Sequence, residues 1–359
     1  MKGSLKLGRI AGIEISIHWT FMILIFFIIY NNYKAGHDTE QMLWSVLFVL
    51  SIFFTVFLHE LGHSLAAMKF GVKTRSITML PIGGVASLER IPEKPSEELI
   101  VAIAGPAVNI ALAILTFFFI DFPDLATLPD VLKDGVNGSN FFIQFFIVNI
   151  WLSIFNLIPA FPMDGGRVLR ALLSYKIPRH KATNIAARIG QLIAILFIII
   201  GFYSNPFLIF IGIFIILGAY SESEMVKTNF MLKGVKAKDV AMKNFISIDE
   251  NETLEKAVQH LLNSQNNAFV ILSGNAPVAT LSRDEIILNL SAGKKEDTLK
   301  NIITRQIHTV DAEESVEKIY LYMQSNKTSL VAVFHNNQFL GIIDPENILE
   351  YIMVKNAVS

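Results

Sequence analysis

The sequence predicts a polytopic α-helical membrane domain of about six spans, followed by a smaller α/β domain built from two repeats. Three observations carry this fold class. Of 359 residues, 52% are apolar and 28 are Phe; mean hydropathy is +0.49, and the long apolar runs stop near residue 220. The connections between those runs differ in charge, some basic and one acidic. Beyond about residue 230 the chain reads as an ordinary soluble domain whose pattern recurs at an offset of 62 residues, 248 matching 310 and 255 matching 317.

Composition excludes several functions. A net charge of −1 argues against nucleic acid as a partner. The absence of cysteine removes disulfides, thiolate metal sites and cysteine nucleophiles. Lys2, Lys6 and Arg9 precede an apolar stretch that lacks a small-x-small cleavage site, so the stretch is expected to be a retained first span.

Apolar runs long enough to cross a bilayer lie near residues 15–33, 43–68, 98–120, 141–160, 185–203 and 206–220. The turn from Tyr203 to Pro206 makes the last pair a tight helical hairpin. Ahead of the first run, GIEISIH (Gly12 to His18) alternates apolar and polar residues and predicts a short strand. LPIGGVASL (Leu80 to Leu88) predicts irregular structure with a turn at Gly83 and Gly84. The second connection carries Lys73, Arg75, Arg90 and Lys94; the fourth carries Arg167, Arg170, Lys176, Arg179, Lys181 and Arg188. The third is acidic, with Asp121, Asp124, Asp130 and Asp134 against Lys133. Basic connections stay in the cytoplasm, so a multi-pass protein of the cell membrane is expected, with both termini and the tail cytoplasmic.

The second run ends in FLHELGHSL, residues 57 to 65. An ionisable group in a span costs roughly 2.5–3.5 kcal/mol even on lenient insertion scales and therefore points to a partner or a function. Four residues apart on a helix, His59 and His63 project from one face and suit two imidazole ligands of one zinc ion. Glu60 beside them is placed to take a proton from a water whose pKa zinc lowers to about 7. A catalytic zinc needs a third protein ligand. In NLIPAFPMDGGRVLRALL, Pro159 and Pro162 stop a regular helix and Gly165-Gly166 add freedom, which predicts an unwound segment that aims Asp164 inward. Such a segment is tolerated at this depth only where protein buries it or it lines a cavity.

HELGH together with Asn156-x-x-Pro-x-x-Pro-x-Asp164-Gly165 resembles the site-2 protease family of intramembrane zinc metalloproteases, and AGPAVN (Ala104 to Asn109) and IHWTF (Ile17 to Phe21) are similar to family features. The resemblance implies one zinc per chain held by His59, His63 and Asp164, with Glu60 as general base and acid. It implies hydrolysis of a peptide bond within or near a transmembrane helix of another protein, in a lipid setting, as in regulated intramembrane proteolysis. Asn156 is a candidate oxyanion donor, and His18 a candidate to approach the site. The stretch holding Gly83 and Gly84 is a candidate to pair with an unwound substrate by strand addition. Asn109 and Asn149 read as helix–helix contacts, and Gly105-Pro106 as a kink or close-packing point.

The tail resembles a tandem pair of cystathionine-β-synthase (CBS) domains, with repeats at about 235–292 and 297–355 inside a cytoplasmic domain of residues 226–359; the protease domain covers 1–225. The resemblance implies a regulatory or dimerising module, able to form a homodimer, that in many members binds an adenine nucleotide. Nucleotide binders commonly show Thr-x-x-Asp after the third strand. Here Ser282 and Glu285 hold those places in the first repeat and Asp344 and Asn347 in the second, where Asp344 would repel phosphate. The competing reading is a CBS-regulated transporter or channel using the intramembrane His and Asp for ions. A further one is an inactive, scaffolding relative. A general-base Glu60 between two ligands is needed for hydrolysis and superfluous for transport.

Overall fold

The computed structural model describes residues 3–81, 83–121, 135–264 and 266–357. The acidic positions Asp124, Asp130 and Asp134 and the accompanying Lys133 lie outside them. The chain divides into two compact units between Val226 and Lys227.

The N-terminal unit opens with a hairpin of β1 (Ser4–Ile10) and β2 (Ile13–His18), turned through Ala11 and Gly12 at positive φ. The alternation in IEISIH is thus a strand, and the helix that follows, α1 (Thr20–Lys34), has only 15 residues. At 1.5 Å per residue it is about 22 Å long, short of a hydrocarbon core of about 30 Å. After α2 (Thr39–Lys69) come β3 (Thr74–Leu80) and β4 (Gly83–Leu88). The sheet order is β1-β2-β3-β4, with β2 and β3 parallel and the other pairs antiparallel. A parallel pair needs a long crossover, which α1 and α2 supply. The sheet lies on α2, with Ile13, Ile77 and Met79 against Phe53, Val56 and Phe57, and leaves β4 at its edge.

Among the described residues five more helices follow: α3 (Pro95–Phe117), α4 (Phe141–Asn156), α5 (Asp164–Ser174), α6 (Arg179–Tyr203) and α7 (Phe207–Leu232). Among the described residues four helices (α2, α3, α6 and α7) are long and apolar enough to cross a membrane, and α4 is a shorter apolar helix. The expected count of about six spans is not confirmed by these helices. Residues 15–33 split into a strand and a short helix because period-two alternation ends only at His18. The run at 206–220, by contrast, belongs to a 26-residue helix. Phe26, Trp151, Leu192, Phe202 and Phe210 are exposed, which suits a lipid-facing surface.

In the C-terminal unit each repeat gives strand, helix, hairpin, helix. The first has β5 (Ser247–Asp249), α9 (Leu254–Asn263), β6 (Ala268–Ser273), β7 (Ala276–Ser282) and α10 (Arg283–Ser291), after a short α8 (Ala237–Val240). The second has β8 (His308–Asp311), α12 (Val316–Asn326), β9 (Val331–His335), β10 (Gln338–Ile343) and α13 (Pro345–Ala357), after α11 (Leu299–Ile302). Register repeats too: Ile248 faces Ile271 and Val310 faces Val333 in parallel pairs. The lead-in segments are exchanged. Leu232, Val235 and Val240 are buried in the core of the second repeat, and Leu299 and Ile302 in that of the first. Val270, Ile307, Leu330, Ala332 and Ile342 join the two, so neither repeat buries its apolar surface alone.

Candidate metal centre

His59 and His63 lie on one face of α2, buried, with their Nε2 atoms 3.1 Å apart. Asp164, the first residue of α5 and 7% exposed, places Oδ2 3.1 Å from each. These three form the one metal-capable group of His, Asp and Glu side chains found among the described residues. Asp164 begins a helix and does not sit in an unwound loop; the irregular stretch is 157–163. Gly165 and Gly166 serve proximity rather than freedom. A Cβ at Gly165 would meet the Ile158 carbonyl oxygen at 2.2 Å, and one at Gly166 the Phe161 nitrogen at 2.7 Å. Only glycine lets α5 start so close to the segment that delivers it.

The outer face of each imidazole is fixed by α3. His59 Nδ1 lies 2.6 Å from Asn109 Oδ1, and His63 Nδ1 2.7 Å from the Val101 carbonyl oxygen. A carbonyl oxygen only accepts, so His63 carries its proton on Nδ1 and donates there; Asn109 Oδ1 assigns the same tautomer to His59. Both Nε2 atoms then turn lone pairs toward each other and toward a carboxylate oxygen. Three acceptors at 3.1 Å repel one another unless a cation lies among them, and two imidazoles plus one carboxylate are a zinc donor set. The residues fit the metal.

Gly105 on α3 packs against this triangle. A Cβ there would stand 2.3 Å from His63 Nε2 and 2.6 Å from His59 Nε2, so the Gly105-Pro106 position is a close-packing point. Glu60 is partly buried one residue from His59, and β4 passes directly over it. A Cβ at Gly84 would meet Glu60 Cγ at 2.7 Å. The Asn156 side chain turns back on its own helix, donating Nδ2 to the Leu152 carbonyl at 2.9 Å. His18 Nδ1 is 2.8 Å from Thr20 Oγ1 and its ring tilts on Trp19 at 5.9 Å; it is not a member of the His–His–Asp group. Gly83 opens β4 with φ of 134°, a conformation reserved for glycine.

The sequence marks Asn109 only as a helix–helix contact and gives no sign of Val101. A polar residue in an apolar span signals Asn109, whereas a backbone carbonyl leaves no signal. In the C-terminal unit Ser282 and Glu285 bond to each other as a capping box on α10, with Ser282 Oγ donating to Glu285 Oε2 at 2.7 Å. A cavity of about 550 Å³ lies elsewhere in this unit, beside Asp344, Asn347, Phe245 and Lys327.

A polytopic helical domain that gathers two histidines and a distant carboxylate beside a glutamate defines the class of membrane zinc metalloproteases. A model of Peptidase family M50 matches residues 47–137 and 129–198, and a model of the CBS domain matches 237–292 and 299–354. The chain is 34% identical over 355 residues to the zinc metalloprotease MJ0392 of Methanocaldococcus jannaschii, covering 99% of this chain and 97% of that one. It is 32% identical over 135 residues to stage IV sporulation protein FB of Bacillus subtilis, 37% of this chain and 43% of the relative. A solved site-2 protease structure from Methanocaldococcus jannaschii aligns with 38% identity over 61% of this chain and 95% of that one, at a TM-score of 0.43. The chain belongs to peptidase family M50, the site-2 protease family, and carries a tandem pair of CBS domains. It is a multi-pass membrane metalloprotease, which sets the transporter reading aside.

Proposed function

We propose that the protein is an intramembrane endopeptidase in which His59, His63 and Asp164 hold one zinc ion and Glu60 is the general base and acid. The convergence of two Nε2 lone pairs and one carboxylate at 3.1 Å carries this reading. Zinc held by these residues would supply Lewis acidity toward a water and a carbonyl oxygen. Asn109 and Val101 hold a proton of each imidazole on Nδ1, which leaves Nε2 as the atom each ring would offer the metal. Glu60 takes the proton of the attacking water and delivers it to the amide nitrogen as the peptide bond breaks. Packing of α2, α3 and α5 keeps the side chains of His59, His63 and Asp164 buried.

The substrate is a transmembrane protein segment that unwinds locally. Among the described residues β4 pairs on one side only, and it lies over Glu60, so an extended substrate strand added there would run past the general base. Unchanged cleavage after Val85→Pro and Ser87→Pro would remove this role for β4. Asn156 is retained as the oxyanion donor after rotation away from Leu152; normal turnover in Asn156→Leu would exclude it. His18 belongs in this reading to the membrane interface. Residues 1–225 act as the protease domain and 226–359 as a cytoplasmic module that regulates it and pairs with a second copy.

For that module we read the cavity beside Asp344 as the ligand space. Asp344, Glu346 and Glu350 line it against the one cation Lys327, so polyphosphate is disfavoured by charge. Among adenine compounds, adenosine is expected to bind in preference to ATP. Calorimetric titration of the full chain in detergent tests this, and tighter binding of ATP would reverse it. Zinc stoichiometry tests the main proposal. About one zinc per chain in the wild type, lost in His59→Ala and Asp164→Ala, is expected; a folded wild type without zinc after metal is supplied would overturn it.

A further inference from the structure

Arg170 is fully buried, yet no step at Glu60 uses it. Its Nε donates to Glu98 Oε1 at 2.8 Å, its Nη1 donates to Glu222, and its guanidinium carbon lies 5.0 Å from the Phe161 ring centroid. Glu98 stands in the first turn of α3 at 2% exposure. It also takes Arg179 Nη2 at 3.3 Å, while Arg179 Nη1 donates to the Pro92 carbonyl at 2.8 Å. One charge network therefore ties α3, α5, α6 and α7 together.

The two ends of that tie are the two halves of the metal centre. α3 supplies Val101, Gly105 and Asn109 to the imidazoles; α5 supplies Asp164. Arg170 lies six residues beyond Asp164, about 9 Å along the same helix. α5 has 11 residues and two glycines near its start, too short and too glycine-rich to hold itself. Its placement comes from contacts at both ends: the glycines on residues 157–161, and Arg170 on Glu98 and Glu222. A buried ion network adds little net stability over an apolar core, but a slip would leave a charge unpaired, so it selects one arrangement.

We propose that Arg170 is a positioning residue that, through Glu98 and Glu222, sets Asp164 against the two imidazoles and so sets the metal affinity of the site. The proposal rests on Asp164 being a zinc ligand. The test uses the full chain in detergent and two variants. Arg170→Lys keeps the charge and loses the planar fork. Arg170→Met with Glu222→Gln removes one charge of each sign and leaves the Glu98–Arg179 pair intact. Zinc affinity is measured by chelator competition and ligand geometry by the visible spectrum after cobalt substitution, beside thermal unfolding.

We expect zinc affinity to fall on the order of 10-fold in both variants, the low end for groups that orient ligands, with an altered cobalt spectrum. Wild-type affinity and spectrum in either folded variant would overturn the proposal, whatever happens to thermal stability. If the double variant does not fold, Arg170→Lys decides alone. Failure of the metal reading itself looks different: the wild type holds no zinc, or Asp164→Ala holds it as tightly.

Discussion

Gly105→Ala places one methyl group where the structure has no room for it. The new Cβ would stand 2.3 Å from His63 Nε2, 2.6 Å from His59 Nε2 and 2.6 Å from His63 Cε1, against an ordinary contact of 3.4 Å or more. The neighbours are two imidazoles held from behind by Asn109 and the Val101 carbonyl, so they have little freedom to withdraw. Relief requires a ring shift of about 1 Å. Zinc–nitrogen distances tolerate about 0.2 Å, and a misplacement of about 1 Å costs on the order of 100-fold at a reacting centre. Zinc affinity should drop about 100-fold, ~2.8 kcal/mol. Overall stability should change less. Overpacking costs roughly 1–3 kcal/mol, while alanine for glycine inside a helix returns about 0.8–1.0 kcal/mol. The assay is chelator competition on detergent-purified protein, with thermal unfolding alongside. Gly201→Ala is the control: its Cβ would meet Ile209 Cγ1 at 2.7 Å in the α6–α7 hairpin, so it should cost similar stability and keep zinc. Wild-type zinc affinity in Gly105→Ala would refute the reasoning.

Other outcomes follow from the same geometry. Asn109→Ala removes the acceptor that fixes the His59 tautomer and should weaken zinc binding about 10–100-fold, measured by the same competition. On the proposed roles, Glu60→Gln should keep zinc and lower cleavage of a transmembrane substrate about 10²–10⁴-fold, because it would remove the proton acceptor and not a ligand; activity near wild type would exclude Glu60 as the base. Hydrogen bonds from Lys236 and Lys238 hold the Glu313 carboxyl down at about 2 from its usual 4.5. The group is ionised more readily in the folded state, so the stability it adds is present above pH 4.5 and lost as pH falls toward 2. An acid titration of full-length Glu313→Gln should therefore show a shallower loss across that window than the wild type.

Much of the site is written in local pattern. HELGH declares itself because helical periodicity alone puts His59 and His63 on one face, and the two prolines before Asp164 mark the break that frees it to turn inward. The helix that Asp164 begins was less legible, since Gly165-Gly166 looks like flexibility until the carbonyls beneath them are seen. The start of the first candidate span differs from the structure where β2 and α1 meet, because an apolar window does not separate alternation from a helix. Ser282-x-x-Glu285 reads equally as a capping box and as a ligand motif; the short bond between the two side chains favours the first.

The sequence by itself determined the apolar character of the N-terminal part, the paired imidazoles with Glu60 beside them, and a tail repeating every 62 residues. Each depends on neighbours a few residues apart or on direct self-similarity. Only the tertiary structure decided that Asn109, 50 residues from His59, supports its ring, and that Asp164, 105 residues away, completes the triangle. It alone showed Arg170 joined to Glu98 across 72 residues and the lead-in segments of the two repeats exchanged. Backbone periodicity is set by local sterics, whereas which distant groups meet is set by how helices pack and which buried charges must be paired.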